Sequence, residues 1–245
     1  MLVNNKTFNH IKIHTQYSIC EGAIKIDELV DYCKSKKIKS LGLSDSYNLC
    51  GALEFSEKLS KVGTHPIIGT QINLNTSDVI GKVSLYATSE VGYKNLIKLS
   101  SSSYLKNNTT TDPSCNLQDL LDSNEGLILL TGNYTNFFGK LFYKNKLKDF
   151  EKILSTIKKS FKDRLYIEIQ RHNEHQEKNF ENYLLNISKF FKIPLIASQE
   201  IFYLNKEMYE AHDALICIGE KNFVDDRNRF RYNNQHYIKS QEELV

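Results

Sequence analysis

A chain of 245 residues with 40% hydrophobic content can bury one substantial core, and no run of about eighteen apolar residues is present to cross a membrane as a helix. The net charge of +3, from 32 basic and 29 acidic side chains, does not by itself mark a nucleic-acid-binding surface. Five scattered cysteines (Cys20, Cys33, Cys50, Cys115, Cys217) with no C-x-x-C pair argue against a disulfide framework and a thiolate zinc site, and with no apolar leader after Met1 a soluble cytoplasmic protein is the expectation.

The pattern opens with a β-α-β unit. Residues 11–13 read as a strand that stops at His14, and Ile26, Leu29, Val30 and Cys33 share one face of a helix over 26–36. Residues 38–43 are a second strand, stopping at the polar tip 44–48. Ionisable residues at the carboxyl ends of parallel strands lie where α/β folds and barrels place their sites. An amphipathic helix over 49–59 follows, then strands over 65–74 and 83–87 and a helix from 93 to about 105. The polar tract 106–116 reads as a loop.

Residues 126–132 form an apolar strand of the kind buried on both faces of a parallel sheet, ending at Asn133. Helices over 137–143 and 147–161 lead to a strand over 165–170 that ends at Arg171 and His172. A helix over 174–191, a strand over 194–197 ending at Ser198, Gln199 and Glu200, and a helix over 206–218 complete the series. About seven strands alternating with helices, joined by right-handed crossovers, predict an α/β fold closed or nearly closed into a barrel; an open doubly wound sheet is the second architecture. Residues 236–239 read as a short strand, and Ser240 followed three residues later by Glu243 is a capping box. A helix start so close to Val245 reads as an excerpt from a longer polypeptide.

On a barrel the residues at predicted strand ends, Lys12, His14, Asp45, Ser46, Gln71, Asn133, His172, Glu200 and Phe202, converge on one mouth. Histidines and carboxylates gathered there suit a hydrolytic metal site, because a divalent ion lowers the pKa of bound water and polarises a phosphoryl oxygen. The plainer alternative is that they cap helices or face solvent.

Phe8-Asn-His-Ile-Lys-Ile-His-Thr-Gln-Tyr-Ser18, Glu21-Gly22, Leu43-Ser-Asp-Ser-Tyr-Asn-Leu-Cys-Gly51, Pro66-Ile-Ile-Gly69, Gly92-Tyr-Lys-Asn-Leu96 and Tyr166-Ile-Glu-Ile-Gln170 resemble the N-terminal PHP (polymerase and histidinol phosphatase) domain of the alpha subunit of bacterial DNA polymerase III. Leu195-Ile-Ala-Ser-Gln-Glu200 and Asp225-Asp-Arg-Asn-Arg-Phe230 continue the resemblance in order, so that it covers essentially the whole chain. It implies a distorted TIM-like (βα)7 barrel, the PHP fold, over residues 1–220, with 221–245 a connection toward polymerase domains absent from this chain.

The resemblance also implies a ligand pattern from which this sequence departs. The opening His-x-His of metal-binding members is Lys12-Ile-His14, and the acidic residue before glycine is kept as Glu21. The Asp-His pair is Asp45-Ser46, the acid after the third strand is Gln71, and a position that is often His aligns with Lys82. Asn133 replaces a Cys or His, His172 is kept, and the late Asp-x-His is Glu200-Ile-Phe202. An ammonium at Lys12, and at Lys82 where that position aligns, would repel a divalent cation while neutralising nearby carboxylates such as Glu21, Asp45 or Glu200, so that a salt bridge could replace the metal. No metal or other cofactor is expected for this domain; if a divalent ion binds, His14, Asp45 and His172 are its expected ligands.

The resemblance therefore implies a non-catalytic scaffold in a replicative DNA polymerase alpha subunit. Its partners are the polymerase domains of the parent chain, a proofreading exonuclease subunit that docks on it and, through the parent protein, DNA; no membrane is involved. The alternative is a residual metal-dependent phosphoesterase or exonuclease using His14, Glu21, Asp45, His172 and Glu200. A stand-alone histidinol-phosphatase-like enzyme is disfavoured, because the motifs match the polymerase subgroup. The basic residues Lys221, Arg227, Arg229 and Arg231, interleaved with Phe223, Phe230 and Tyr232, are read as pairing with Asp225, Asp226 and the following domain, or else as DNA-backbone contacts.

Overall fold

In the computed structural model, which describes residues 8–106 and 112–244, the first repeat follows its sequence pattern. Strand β1 (Lys12–Ile13) and strand β2 (Ser40–Ser46) lie parallel with Ile13 opposite Leu43. Helix α1 (Ile26–Lys36) joins them and buries Ile26, Leu29 and Cys33. After helix α2 (Ala52–Lys61), strand β3 (His65–Asn75) runs parallel to β2 through seven residue pairs, from Ser40 opposite His65 to Ser46 opposite Gln71. That ladder carries β2 on past Leu43 to Asp45 and Ser46, which the sequence assigns to a loop.

The next link breaks the βα alternation. Strand β4 (Ile80–Ala87) is antiparallel to β3, reached by a turn in which Thr76 N–H donates to the Val79 carbonyl at 2.9 Å. A parallel crossover needs a dozen or more residues, and this link is far shorter. Helix α3 (Glu90–Leu105) follows, N-capped by Ser89. Strand β5 (Ser114–Asn116) adds to the end of β3, and helix α4 (Leu117–Asp122) is started by an Asn116–Asp119 capping box. Both fall on or beside the tract expected to be a loop, of which residues 107–111 lie outside the described part.

Strand β6 (Leu127–Leu130) pairs antiparallel with β4. Helices α5 (Phe137–Tyr143) and α6 (Leu147–Phe161) lead to strand β7 (Leu165–Ile169), and helix α7 (Glu177–Phe191) to strand β8 (Leu195–Ala197). Strand β9 (Glu200–Ile201) returns to pair with β1, and helix α8 (Tyr209–Glu220) packs beyond it. The sheet runs β8-β7-β6-β4-β3-β2-β1-β9, and its two end strands are separated in sequence only by Ser198 and Gln199. The result is a curled half-barrel, a distorted relative of the TIM-like barrel, with the expected α/β fold class; the antiparallel β4 and the short β5 and β9 account for its departure from seven regular βα units.

One apolar cluster fills the space under α3 to α7, and a second lies between β1, β2, β9, α1 and α2. α6 shows how: Phe150, Ile153, Leu154, Ile157 and Phe161 are buried at helical spacing. Residues 236–241 lie along β9 and the chain start. Phe202 N–H donates to the His236 carbonyl at 2.9 Å, and Gln241 exchanges two 2.6 Å hydrogen bonds with the Phe8 backbone. The Ser240–Glu243 capping box forms and opens a short 3-10 turn over Glu242–Leu244.

Candidate functional site

Strand alternation turns Lys12, on β1, into the barrel, and it meets Glu168 from the opposite wall. Lys12 Nζ lies 3.1 Å from both carboxylate oxygens of Glu168, and neither side chain has any solvent exposure. Ser198 Oγ and Gln170 Nε2 also donate to Glu168, the latter at 2.8 Å. A buried charge pair is tolerated only when its remaining hydrogen-bonding capacity is filled in this way.

Above this pair sits Glu200. Its Oε1 lies 4.0 Å from Lys12 Nζ and 3.2 Å from His14 Nε2, and accepts a 2.6 Å bond from Gln71 Nε2; its Oε2 accepts from Asn133 Nδ2 at 3.0 Å. Burial pushes the Glu200 carboxyl up, but the Lys12, His14 and Lys82 charges and the His14 hydrogen bond outweigh it and hold the group well below the usual carboxylate range. The two amides at Gln71 and Asn133 thus serve Glu200 as neutral donors.

Glu21 forms a second centre with Lys82 and Ser46. Lys82 Nζ pairs with Glu21 Oε1 and donates to Ser46 Oγ at 3.0 Å, while Ser46 Oγ donates to the other Glu21 oxygen. The Lys82 ammonium also lies 5.1 Å from the Tyr47 ring centroid. Burial raises the Glu21 carboxyl, yet the Lys82 charge prevails and the net direction is down; Lys82 itself, lowered by burial, is carried above its ordinary value by Glu21.

Asp45 stands apart, fully buried, accepting from Thr15 N–H at 2.6 Å, Thr15 Oγ1 at 2.8 Å and Ser18 Oγ at 2.7 Å. Burial raises its carboxyl despite these donors. Of the carboxylates expected to be neutralised by an ammonium at Lys12 or Lys82, Glu200 and Glu21 are, and Asp45 is not. Lys12 is committed to Glu168 and reaches only Glu200, because its strand points it to the barrel floor; Lys82 serves Glu21, and neutral donors hold Asp45.

His172 and His236 stack with ring centroids 4.1 Å apart. The Glu200 N–H lies 3.3 Å from His172 Nε2, and His172 Nδ1 faces Glu177 Oε1 at 3.3 Å. His236 Nδ1 donates to the Glu200 carbonyl at 3.0 Å, and burial followed by the charge of His172 holds His236 well below its ordinary pKa. Phe202 packs against His14, His212, Tyr232 and His236. A cleft of about 660 Å³ opens over these groups, lined among others by Glu21, Tyr47, Lys82, Tyr134, Tyr232 and His236.

The structure brings Lys12, His14, Gln71, Asn133 and Glu200 together, with Glu21 and Ser46 as a neighbouring centre; His172 and Phe202 form the far wall. His14, Asp45 and His172 are linked only indirectly: His14 and Asp45 share Ser18 Oγ, and His14 and His172 both engage Glu200, the one through its carboxylate and the other through its N–H. Among the described residues no group of three or more His, Cys, Asp or Glu side chains is placed to hold a metal ion. Arg229 forks onto Asp213 at 2.5 and 2.7 Å and Arg231 onto Glu210 at 2.7 and 2.8 Å, so their acids come from α8 and not from Asp225 or Asp226. Sequence reasoning missed Glu168, Glu177 and His236. A glutamate inside Tyr166-Ile-Glu-Ile-Gln170 was the available signal for the first; the others depend on contacts distant in sequence.

Residues 10–172 match the PHP domain family. The DNA polymerase III subunit alpha of Caulobacter vibrioides is 33% identical over 97% of this chain and 21% of its own length. That of Borreliella burgdorferi is 34% identical over 97% and 22%, and that of Vibrio cholerae 28% identical over 99% and 21%. The chain thus spans about a fifth of the length of these relatives. Among solved structures, a candidate metal-dependent phosphoesterase from Bifidobacterium adolescentis superposes with a TM-score of 0.53 at 11% identity, covering 78% of this chain and 86% of that one, which is a likeness of fold.

Proposed function

The chain belongs to the PHP domain family, and from that premise we propose that it acts as the non-catalytic N-terminal scaffold of a DNA polymerase III alpha subunit, with a barrel held by lysine-centred ion pairs in place of metal ions. The Lys12–Glu168 pair at zero exposure carries the reading. A divalent cation next to a buried ammonium meets repulsion, and the surrounding donors are already used: Glu200 by Gln71, His14 and Asn133, Glu21 by Lys82 and Ser46, His172 Nε2 by the Glu200 N–H. The donor set does not fit a hydrolytic metal centre, and no chemical step is assigned to the cleft.

On this reading the domain supports the polymerase domains of its parent chain and docks the proofreading exonuclease subunit, while the parent protein engages DNA in the cytoplasm. Residues 221–245, in part packed along the barrel, lead toward the polymerase domains. Similarity to polymerase alpha subunits over nearly the whole chain supports this assignment. Elemental analysis of the purified full-length protein, with zinc and manganese soaks read by anomalous scattering, tests the metal half. Stoichiometric metal at His14, Asp45 or His172 would overturn it and restore the phosphoesterase alternative. Co-purification with the exonuclease subunit tests the docking half, which fails if no complex forms.

A further inference from the structure

Of the basic residues that the sequence offers as DNA contacts, Arg229 and Arg231 are engaged with Asp213 and Glu210; Lys221 and Arg227 are exposed without an ion pair among the described residues, but the denser positive charge lies elsewhere. Residues 140–164 carry nine lysines and arginines against three acids, in a chain whose net charge is only +3, so the rest of the chain is net acidic. This segment is α5, α6 and the turn after it. The inner face of α6 is buried through Phe150, Ile153, Leu154, Ile157 and Phe161. Lys148, Lys152 and Lys159, spaced by four and seven residues, form a stripe on the outer face, with Lys144 before it and Lys162 after it; all five are exposed.

Three local features of this stripe run against helix stability. Lys148 and Lys152 are like charges at i,i+4. Lys148, in the first turn, sits at the positive end of the helix dipole, whereas Lys146 at the N-cap is paired with Asp78 and Lys159 in the last turn is favourably placed. Among the described residues, no carboxylate lies within ion-pairing distance of Lys148, Lys152, Lys159 or Lys162. Glu151 flanks the stripe on one side and Asp149 lies a quarter turn away, so neither interrupts it. At Lys148 and Lys152 these local rules are broken with no ion pair to offset them, which marks a surface shaped by a partner.

We propose that the outer face of α6 is a contact surface for the sugar-phosphate backbone of nucleic acid, which Lys148, Lys152 and Lys159 engage without sequence preference. From Lys148 to Lys159 the helix rises about 16 Å, at roughly 1.5 Å per residue, and one strand of a duplex presents a phosphate about every 3.4 Å of axis. Three ammonium groups on that span face three phosphates with slack for their flexible stems. Lysine suits this role, because a point charge on a mobile chain follows a phosphate row without fixing register. The proposal does not depend on the metal-free reading of the cleft.

The test is binding of a labelled random-sequence duplex to the full-length protein, by fluorescence anisotropy at several salt concentrations, comparing wild type, K148Q/K152Q/K159Q and the charge-matched K34Q/K36Q/K98Q on α1 and α3. Each phosphate contact contributes about 0.9 to the log–log salt slope. The α6 variant is expected to flatten that slope by about 2 to 3 and to weaken binding at low salt at least tenfold, while the α1/α3 variant follows wild type. Equal slopes for all three proteins, or equal losses for both variants, would overturn the proposal. So would an α6 variant that binds duplex like wild type but loses poly-glutamate, since the partner would then be an acidic protein. Matching thermal melts confirm that the variants are folded.

Discussion

Replacing Lys12 by methionine keeps most of the side-chain volume and removes the ammonium from the barrel floor. At 3.1 Å from Glu168 and an effective dielectric constant of about 20, the attraction is about 5 kcal/mol. Desolvating two charges costs about as much, so the intact pair contributes little net stability. Removing one member is different, because Glu168 stays buried with no cation and Glu200 loses its largest counter-charge. The expected destabilisation is about 3 to 5 kcal/mol, a large share of the roughly 5 to 15 kcal/mol typical of a domain. Urea denaturation at neutral pH measures it, and K12M/E168L is expected to recover part of the loss by removing both charges. The pH profile gives a second reading. Glu200 has a depressed folded pKa, so its contribution is present above its unfolded value and is lost as pH falls through the folded one. Without Lys12 that folded value rises, and acid unfolding begins at a higher pH. A K12M protein within 1 kcal/mol of wild type, with an unchanged acid limb, would refute the ion-pair account.

The Glu21–Lys82 centre works at both ends of the pH scale. Glu21 is lowered, so its contribution is present above its unfolded pKa and is lost as pH falls through its folded one; Lys82 is raised, so its contribution persists below its unfolded pKa and is lost as pH rises through the folded one. K82M is expected to weaken stability at both limits in pH-dependent melts, and an unchanged profile would contradict the pairing. F150A, which empties a fully buried site in α6, is expected to cost about 3 to 5 kcal/mol in denaturant unfolding; a loss below 1 kcal/mol would show that the site collapses around the gap. R229A, by freeing the segment that Asp213 holds, is expected to speed amide exchange at residues 229–238 and to leave β7 unaffected, whereas uniform acceleration would mean global destabilisation.

What could be read from the sequence divides along a physical line. The bounds of α1, α5 and α6 agree residue for residue with expectation, because apolar periodicity and local terminal signals define a helix within one segment. β5 and β9 were missed because strands of two or three residues exist only through partners on β3 and β1. The same division governs the site. Its members could be named from strand ends and family motifs, but the pairing of Lys12 with Glu168 spans 156 positions and became visible only once the barrel closed. Each had left a trace, a charge set inside an apolar strand pattern, and two such charges of opposite sign call for each other in a core where neither could stand alone.

That complementarity bears on how such a cleft could arise. On the scaffold reading, substituting the metal ligands of a PHP barrel one by one would leave Glu200, which is buried, and Glu21, which is partly buried, without the cation that held them. In this chain Glu21 faces the Lys82 ammonium and Glu200 the Lys12 ammonium, and Glu200 also accepts from the amides of Gln71 and Asn133. On the scaffold reading, loss of ligands and gain of lysines are therefore one electrostatic event. On that reading K12H should be less stable than wild type in urea denaturation, since it removes the counter-charge without supplying enough ligands for a metal to replace it.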